Sequence, residues 1–510
     1  MREIMGRYDK WLPPLLLLAV AFALFASTFG AEWNYDDFPV IVENPDVLSI
    51  GNFLKDQFPG RPLRELTFVL DHALFGMQPA GWHIQQLFWH GLCAWLLFLV
   101  VDRLGFGRFV AWGAALLFLV HPIQVEAVAN ISHRKESLAL AFCLLALLAY
   151  LKGCALAGRE RLAWLTGAFA LAGIGCLGKQ TAVAIFPLFL LYEWVGLPRE
   201  RWCLLRFWKP LAGVVVLGVL GLAGWLLFGN GGTQYVDGIK SVLSFKANWF
   251  NEMTVDVFAR TVLKSWLFMA AKWLLPVGLA AEYIISVPPG WFDPWVIGAL
   301  LLTAGYLASL FLLAWRRSLL ALPVAWVGLF FLPTANVWPL AYLAADRYLY
   351  APTAGVAILI AIGLARFIPR QQAAWVVLAG LLVVLSAVTW RQNQVWRTPE
   401  TLWLHAAAVN PTSGFALNNV GNIYYFQGNL AKAYEFYSRA VDVNPFNPSA
   451  QYNMGMTFEK VGDLPRALQF YRNFLLLRHS VWFKDQEALK ARLAREYRAR
   501  FENGQFVIDK

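Results

Sequence analysis

Long apolar stretches recur through the first 390 residues, and few folds can accommodate them. Each approaches the roughly 20 residues that cross a lipid bilayer as a helix. Composition agrees, since 59% of the residues are hydrophobic and 15% are charged, whereas about a quarter are charged in soluble proteins. The sequence therefore excludes an ordinary cytosolic enzyme and predicts an all-α, polytopic membrane protein. The eleven predicted spans lie at 11–29, 83–101, 109–126, 137–151, 162–178, 180–196, 211–228, 293–314, 318–337, 348–365 and 373–390.

Basic residues set the predicted orientation, because short cytoplasmic loops carry an excess of Lys and Arg. They gather at every second connection between the spans, whereas the segment 29–82 is acidic and is expected outside. The N-terminus is then cytoplasmic, and an uncleaved first helix is favoured over a signal peptide. Because many basic residues mark cytoplasmic loops, the net charge of +11 does not indicate nucleic acid.

The apolar stretch 257–280 does not fit this alternation, since both of its ends must be external. We expect a re-entrant or interfacial helix there, within an external loop at 229–292 and held by Arg260, Lys264 and Lys272. The predicted transmembrane domain covers residues 1–390, and its first external loop is 29–82.

A soluble pattern with a repeat of 34 residues follows, in which Gly421 recurs as Gly455 and Tyr437 as Tyr471. This is the period of the tetratricopeptide helix-turn-helix unit. A domain at 391–510 is predicted, with repeats at about 414–447 and 448–481, a charged capping helix at 483–502, and the same side of the membrane as the loop 29–82. Three asparagines are candidate contacts for a bound peptide, or merely common repeat residues: Asn419, Asn422 and Asn453.

The spacing of the cysteines and the absence of nucleotide-binding motifs exclude several other classes of protein. Five cysteines, at 93, 143, 154, 176 and 203, show no C-x-x-C spacing. Neither a disulfide framework nor a zinc site is therefore predicted. The chain also lacks a phosphate-binding P-loop and a dinucleotide-binding turn in the required context, which argues against ATP-driven transport.

An acidic pair, Asp36-Asp37, stands between aromatic residues just after the first span. A carboxylate near an apolar surface can accept a proton from an alcohol, since loss of water raises its pKa. Composition alone also allows a solvated pair or a helix cap.

Other ionisable groups gather at the external ends of the helices, where they are functional candidates. Arginines suit bidentate phosphate binding, although an arginine near a helix end often only reaches toward lipid headgroups. Lys179 needs an anionic partner at membrane depth, and Asp346-Arg347 is either a site or a structural ion pair. The remaining candidates are Arg61, Arg64, His83, His121, Glu126, Arg134, Lys135 and Tyr348.

Several motifs together resemble a family. They are NYDDFPVIVENPDV, GRPLRELTF with GWHIQQLFWH, HPIQVEAVANISHRKESLA, LGKQTAV and DRYLYAPTAG, followed by tetratricopeptide repeats. In this order they resemble the transmembrane and tetratricopeptide-repeat O-mannosyltransferases (the TMTC family), which are GT-C glycosyltransferases, and their bacterial relatives. The family often has Lys-Glu at Lys179-Gln180 and Glu-Arg-Tyr at Asp346-Arg347-Tyr348, and its eukaryotic members have longer repeat arrays. These departures favour a bacterial member and leave the sugar and the acceptor open.

The resemblance implies a role for each motif residue. One of Asp36 and Asp37 would be the catalytic base, and the donor phosphate would contact Arg61, Arg134, Lys179 and Arg347. The implied activity is inverting transfer of a hexose such as mannose from a polyprenyl-phosphate sugar to Ser or Thr hydroxyls of exported proteins. No metal or other cofactor is expected.

The implied partners are the lipid-linked sugar, membrane lipid and an acceptor polypeptide bound by the repeats. The implied location is a bacterial inner membrane, with the site and repeats in the periplasm. Two alternatives remain: a GT-C enzyme that modifies a lipid or glycan while its repeats recruit other proteins, or a non-enzymatic translocation or scaffold protein.

Overall fold

The computed structural model describes residues 2–55, 60–205, 254–477 and 483–508. Helices dominate this part of the chain. In the membrane part they are α1 (Arg2–Leu24), α2 (Ile50–Lys55), α3 (Pro62–Phe75), α4 (Pro79–Arg103), α5 (Arg108–Val120), α6 (Val125–Ala129), α7 (Arg134–Ala155), α8 (Gly158–Gly178), α9 (Ile185–Gly196), α10 (Val255–Leu274), α11 (Pro294–Trp315), α12 (Ala321–Phe331), α13 (Tyr350–Phe367) and α14 (Gln371–Val395). The C-terminal part has α15 (Pro399–Val409), α16 (Gly414–Phe426), α17 (Leu430–Val443), α18 (Pro448–Lys460), α19 (Leu464–Leu476), α20 (Phe483–Tyr497) and the hairpin of β1 (Ala499–Glu502) and β2 (Gln505–Ile508).

Six helices in the described ranges are long and apolar enough to cross a membrane, and α5 with Pro122–Ala129 forms a bent pair that makes a seventh. Shorter apolar helices cover three more predicted spans, at Leu12–Leu24, Gln180–Gly196 and Ala321–Thr334. The predicted span 211–228 lies outside the described residues. The helical membrane architecture is thus confirmed, while the number of eleven spans stays a prediction.

The bend after α5 sets the position of the segment 121–133. Proline restricts the residue before it to extended backbone, and His121 accordingly leaves the helix with φ −68° and ψ 128°. The two helical segments meet at 52°. The chain therefore turns back and places the segment 130–133 beside the loop 34–37, immediately before α7.

The interfacial helix expected at 257–280 is shorter than predicted, because α10 ends at Leu274. Pro276 follows two residues later and disfavours helical backbone at Leu275. The predicted basic residues are bound: Arg260 pairs with Asp256 at 2.9 Å and Lys264 donates to Ser286 at 2.7 Å. Lys272 donates to two carbonyl oxygens just beyond the helix end.

The C-terminal helices form two antiparallel pairs, α16 with α17 and α18 with α19, as the repeat predicts. Close approach depends on glycine, since a Cβ atom on Gly455 would lie 2.4 Å from the Tyr471 ring, and Gly421 meets Tyr437 in the same way. The first pair joins the main hydrophobic core through Leu417 and Val420.

The repeat domain is fixed to the membrane part by hydrogen bonds. The Asn410 side chain donates to the Glu282 backbone oxygen at 2.7 Å, and Ser413 donates to the Glu282 carboxylate. His405 Nε2 lies 2.9 Å from the Leu279 backbone oxygen. The repeats therefore hold a defined position relative to the segment 275–293 that precedes α11.

The capping helix predicted at 483–502 ends early, at Tyr497, and β1 and β2 follow it. Arg498 leaves the helix with φ +51°, and Asn503 and Gly504 both have positive φ. An Asn-Gly pair favours a two-residue hairpin turn. The prediction was wrong here because the charged helical pattern was extended across this turn.

We predict that Gly455→Ala loosens the second repeat, because the added Cβ would collide with Tyr471, whose hydroxyl is bonded to Glu459 at 2.5 Å. A forced shift of this kind costs about 1–3 kcal/mol. Amide hydrogen exchange of the purified full-length protein should show lower protection in α18 and α19. Ala431→Val adds bulk at an exposed position of α17 and is the control. Equal protection in both variants would contradict this view of the repeat packing.

Candidate active site

The acidic pair lies in a tight loop that is bound to the segment before α7. Tyr35 has a positive φ of 50°, which is uncommon for a residue with a side chain. The Asn34 side chain donates to the Trp396 backbone oxygen at 2.8 Å and accepts from Asn130 at 3.1 Å. The loop 34–37, which belongs to the first loop at 29–82, is thereby attached to the segment 130–133 and to the end of α14.

Asp37 is buried and acts as an anchor. Its side chain accepts the backbone N–H of Ser132 at 2.8 Å and that of Asn34 at 3.3 Å. Only 1% of the residue is exposed. Burial raises the pKa of Asp37 to about 7, although the two backbone hydrogen bonds oppose the rise.

Asp36 occupies a different environment, since its side chain is 35% exposed. Its Oδ2 lies 3.2 Å from Nε2 of the buried His133. Burial alone would raise the pKa of Asp36, but the His133 hydrogen bond and the charges of Arg347 and Lys135 outweigh it and hold the pKa well below its usual range. The pKa values of the two adjacent carboxylates are thus shifted in opposite directions, and the environment of the accessible Asp36 favours its ionised form.

His133 is oriented by the backbone as well as by Asp36. Its Nδ1 lies 3.2 Å from the Glu126 backbone oxygen, which can only accept a hydrogen bond. Nε2 can donate to Asp36 at the same time only when both ring nitrogens carry a proton, and the complete burial of His133 opposes that charge. The protonated imidazole, when it forms, favours the ionised form of Asp36.

Glu126 and Arg347 form a buried pair next to this dyad. The Arg347 guanidinium and its backbone N–H both donate to the Glu126 carboxylate, the latter at 2.8 Å. The guanidinium carbon lies 4.7 Å from the centre of the Tyr342 ring and 5.4 Å from that of Tyr348. Arg347 is not paired with Asp346, which instead accepts the Tyr283 hydroxyl at 2.7 Å.

Arg61, Arg64 and Lys135 form a cationic cluster, in which Arg64 and Lys135 lie within electrostatic range of Asp36. Nη1 of Arg61 is buried without a hydrogen-bond partner among the described residues. Lys135 is half-buried, lies within electrostatic range of Arg61, Arg64 and Arg347, and pairs with no carboxylate in the described ranges. Arg64 donates to the Ser132 backbone oxygen at 3.4 Å and to Glu65 at 3.3 Å. Cations brought together in this way favour an anion between them.

Two of the predicted phosphate contacts form ion pairs with acids of the protein itself. Arg134 is fully buried, pairs with Asp71 at 2.5 Å and donates to the Trp82 backbone oxygen at 2.9 Å. Lys179 donates to both oxygens of Glu136, at 2.6 and 2.7 Å. The partner expected for Lys179 is thus supplied by the protein, and neither cation is available to a ligand in this arrangement.

Of the histidine and tyrosine candidates, His121 has partners within the protein, His83 is buried, and Tyr348 lies beside Arg347. His121 contacts the Trp273 backbone oxygen at 3.2 Å and accepts the Ile123 backbone N–H, so it ties α10 to the bend after α5. His83 is buried beside Arg134, with no hydrogen-bond partner in the part of the chain that is described. Tyr348 is half-buried and adjoins Arg347.

The three candidate asparagines of the repeats interact mainly within the protein. Asn453 donates to Asn418 and to Asn422 at 2.9 Å each, and Asn422 also accepts the Tyr437 hydroxyl. Asn419 donates to a carbonyl oxygen of its own helix at 2.9 Å. A neighbouring hollow of about 360 Å³ is lined by Tyr425, Tyr452, Met456, Glu459, Lys460 and Arg492.

Sequence reasoning missed His133, although it directly precedes the candidate Arg134. It did not anticipate that Asp71 and Glu136 would pair with two of the predicted cations. The useful signal was the run His133-Arg134-Lys135-Glu136 at the start of α7, where successive side chains point in different directions. Adjacent residues of this run therefore have different partners: His133 contacts Asp36, Arg134 pairs with Asp71 and Glu136 pairs with Lys179.

Family comparisons match two parts of the chain. Residues 62–225 match the model of the dolichyl-phosphate-mannose-protein mannosyltransferase family, and residues 421–462 match a tetratricopeptide repeat model. No solved structure gives a significant match.

Curated relatives extend the similarity to most of the chain. The protein O-mannosyl-transferase Tmtc3 of Drosophila melanogaster is 27% identical over 80% of this chain and 52% of its own length. The protein O-mannosyl-transferase F38B6.6 of Caenorhabditis elegans is 25% identical over 84% of this chain and 62% of its own length. Human TMTC1, also named a protein O-mannosyl-transferase, is 28% identical over 84% and 54%. The chain thus spans between half and two thirds of these relatives, and its resemblance to the transmembrane and tetratricopeptide-repeat O-mannosyltransferases is confirmed.

Proposed function

We propose that this protein is a membrane-embedded glycosyltransferase that moves a hexose, with mannose as the leading candidate, from a polyprenyl phosphate to Ser or Thr hydroxyls of a polypeptide. The observation that carries the proposal is an accessible Asp36 in contact with His133 and close to Lys135. Lys135 lies near Arg61, and neither cation pairs with a carboxylate in the described ranges. Support comes from the mannosyltransferase family match and from the names of the relatives. The setting we propose is a bacterial cytoplasmic membrane, with the site on its outer face.

The proposed reaction is a single displacement. The acceptor hydroxyl oxygen forms a bond to the anomeric carbon as the bond from that carbon to the phosphate oxygen breaks. The hydroxyl proton passes to Asp36, and the polyprenyl phosphate leaves with the bonding electrons. Attack opposite the leaving group inverts the anomeric configuration.

The cations have the complementary role of binding the phosphate. The leaving group gains negative charge during the displacement, so Arg61 and Lys135 stabilise the transition state more than the bound donor. In this proposal they replace a metal ion. The Arg347–Glu126 pair fixes the aromatic wall of Tyr35 and Tyr342 beside the donor.

The repeats would hold the acceptor polypeptide close to this site. Their position is fixed by the contacts of Asn410 and Ser413 with Glu282. A bound segment next to the catalytic domain has a high effective concentration at Asp36. The hollow lined by Tyr425 and Tyr452 offers aromatic surface for extended peptide.

We predict different effects of removing each charge of the acidic pair. Asp36→Asn should lower kcat for transfer from polyprenyl-phosphate mannose to a Ser/Thr peptide by about 10²- to 10⁴-fold, the usual contribution of a general base. Asp37→Asn should act through the loop anchor and lower the yield of folded protein more than the kcat of the folded fraction. Full activity in the Asp36 variant would contradict the mechanism. Transfer to a lipid or glycan in place of peptide would contradict the proposed acceptor.

We predict a pH-dependent effect for His133. Asp36 works as a base only when ionised, so activity falls when the pH drops through its pKa. Loss of the His133 hydrogen bond raises that pKa, so the kcat/KM of His133→Ala relative to wild type should fall as the pH is lowered from 7 toward 4.

His133→Gln restores a hydrogen-bond donor near the position of Nε2, so its relative kcat/KM should fall less over this range than that of His133→Ala. A ratio that stays constant with pH in His133→Ala would show that His133 has only a structural role.

A further inference from the structure

Two cysteine thiols meet at the far end of α7, remote from the acidic pair. Sγ of Cys154 lies 3.9 Å from Sγ of Cys203. The helix begins beside His133 and has 22 residues, so this end is about 30 Å from Asp36. Arg161 and Arg201 lie nearby, on the side of the membrane predicted to be cytoplasmic.

The loop that carries Cys203 is held in place by a buried acid. The Glu193 carboxylate accepts the Tyr150 hydroxyl at 2.6 Å and the backbone N–H groups of Cys203, Leu204 and Leu205 at 2.8–2.9 Å. Three consecutive backbone donors on one carboxylate fix the loop against α7 and α9. The hydrogen bonds of Glu193 therefore hold the two sulfur atoms close together.

Cys203 lies in an environment that favours a thiolate. Arg161 Nη2 donates to its sulfur at 2.5 Å and to the Arg201 backbone oxygen at 2.8 Å. The hydrogen bond from the Cys154 thiol, aided by Arg161, lowers the pKa of Cys203 to about 7 despite partial burial. A thiolate beside a cation is a good nucleophile, so Cys203 would react first with an external disulfide. Cys154 is buried and would react second, with the sulfur of Cys203.

A metal site is the competing interpretation, since ligand atoms of Cys154, Glu193 and Cys203 lie within 4.8 Å of one another. Both Glu193 oxygens, however, already accept hydrogen bonds. The Arg161 cation would also be opposed to a metal ion. No fourth His, Cys, Asp or Glu joins this group in the described segments.

We propose that Cys154 and Cys203 are a reversible dithiol–disulfide pair that responds to small-molecule disulfides. The Cys203 thiolate attacks one sulfur of the external disulfide, forms a mixed disulfide and releases one thiolate. Cys154 then attacks the Cys203 sulfur and releases the second thiol. The protein dithiol loses two hydrogens and the external disulfide becomes two thiols, so atoms and electrons balance.

The disulfide would join the loop 202–205 covalently to the last turn of α7. The sulfur atoms must approach from 3.9 Å to about 2 Å. This inference does not depend on the proposed glycosyl transfer.

The test uses the purified full-length protein in detergent, treated with oxidised glutathione at pH 7 and analysed by non-reducing peptide mass spectrometry. A Cys154–Cys203 link that dithiothreitol reverses is the expected product. Cys154→Ser should instead retain glutathione on Cys203, and Cys203→Ser should give neither product. Cys143→Ser, in the same helix but away from the pair, is the matched control and should leave the link unchanged.

Arg161→Gln should slow the reaction at pH 7 by about tenfold, because a smaller fraction of Cys203 is then thiolate. Two outcomes would overturn the proposal. One is the absence of the link in wild-type protein under these conditions. The other is stoichiometric zinc that survives dialysis in wild type and is lost in Cys154→Ser.

Discussion

The connection between the loop 34–37 and the segment 130–133 is the contact on which the site depends. Asp37 accepts the Ser132 backbone N–H, Asn34 bonds to Asn130, and Asp36 meets His133. One connection therefore uses a carboxylate as an anchor and leaves the neighbouring carboxylate accessible. The two acids differ in environment: Asp37 is buried and holds two backbone N–H groups, whereas the Asp36 side chain is accessible and is the proposed base.

Charge pairing separates structural cations from those available to a ligand. Removing one partner of a buried pair leaves an uncompensated charge, which is strongly unfavourable. The charges of Arg134 and Lys179 are compensated within the protein, by Asp71 and Glu136 respectively. Arg61 and Lys135 pair with no acid in the described ranges, so an external anion is the natural complement to them.

The sequence predicted those features of the fold that follow from one repeating pattern of residues. Apolar length indicated membrane helices, and the 34-residue period indicated the repeats. Precise ends depended on local chemistry that these patterns do not contain, such as Pro276 after α10 and the Asn503-Gly504 turn after α20. The ion pairs of Arg134 and Lys179 could not be predicted from the sequence, because packing brings the acidic partners to them: Asp71 lies far from Arg134 along the chain, and Glu136 lies in a different helix from the one that precedes Lys179.

Phosphate binding by the unpaired cations is the central claim, and the affinity for polyprenyl phosphate measures it most directly. Native mass spectrometry of the purified protein should show that Lys135→Gln weakens binding by about 10- to 100-fold, while Asp36→Asn binds at least as tightly as wild type. Lys152→Gln, which removes a lysine at the opposite end of α7, is the matched control and should bind normally. Equal affinity in Lys135→Gln and wild type would contradict the assignment of the phosphate to this cluster.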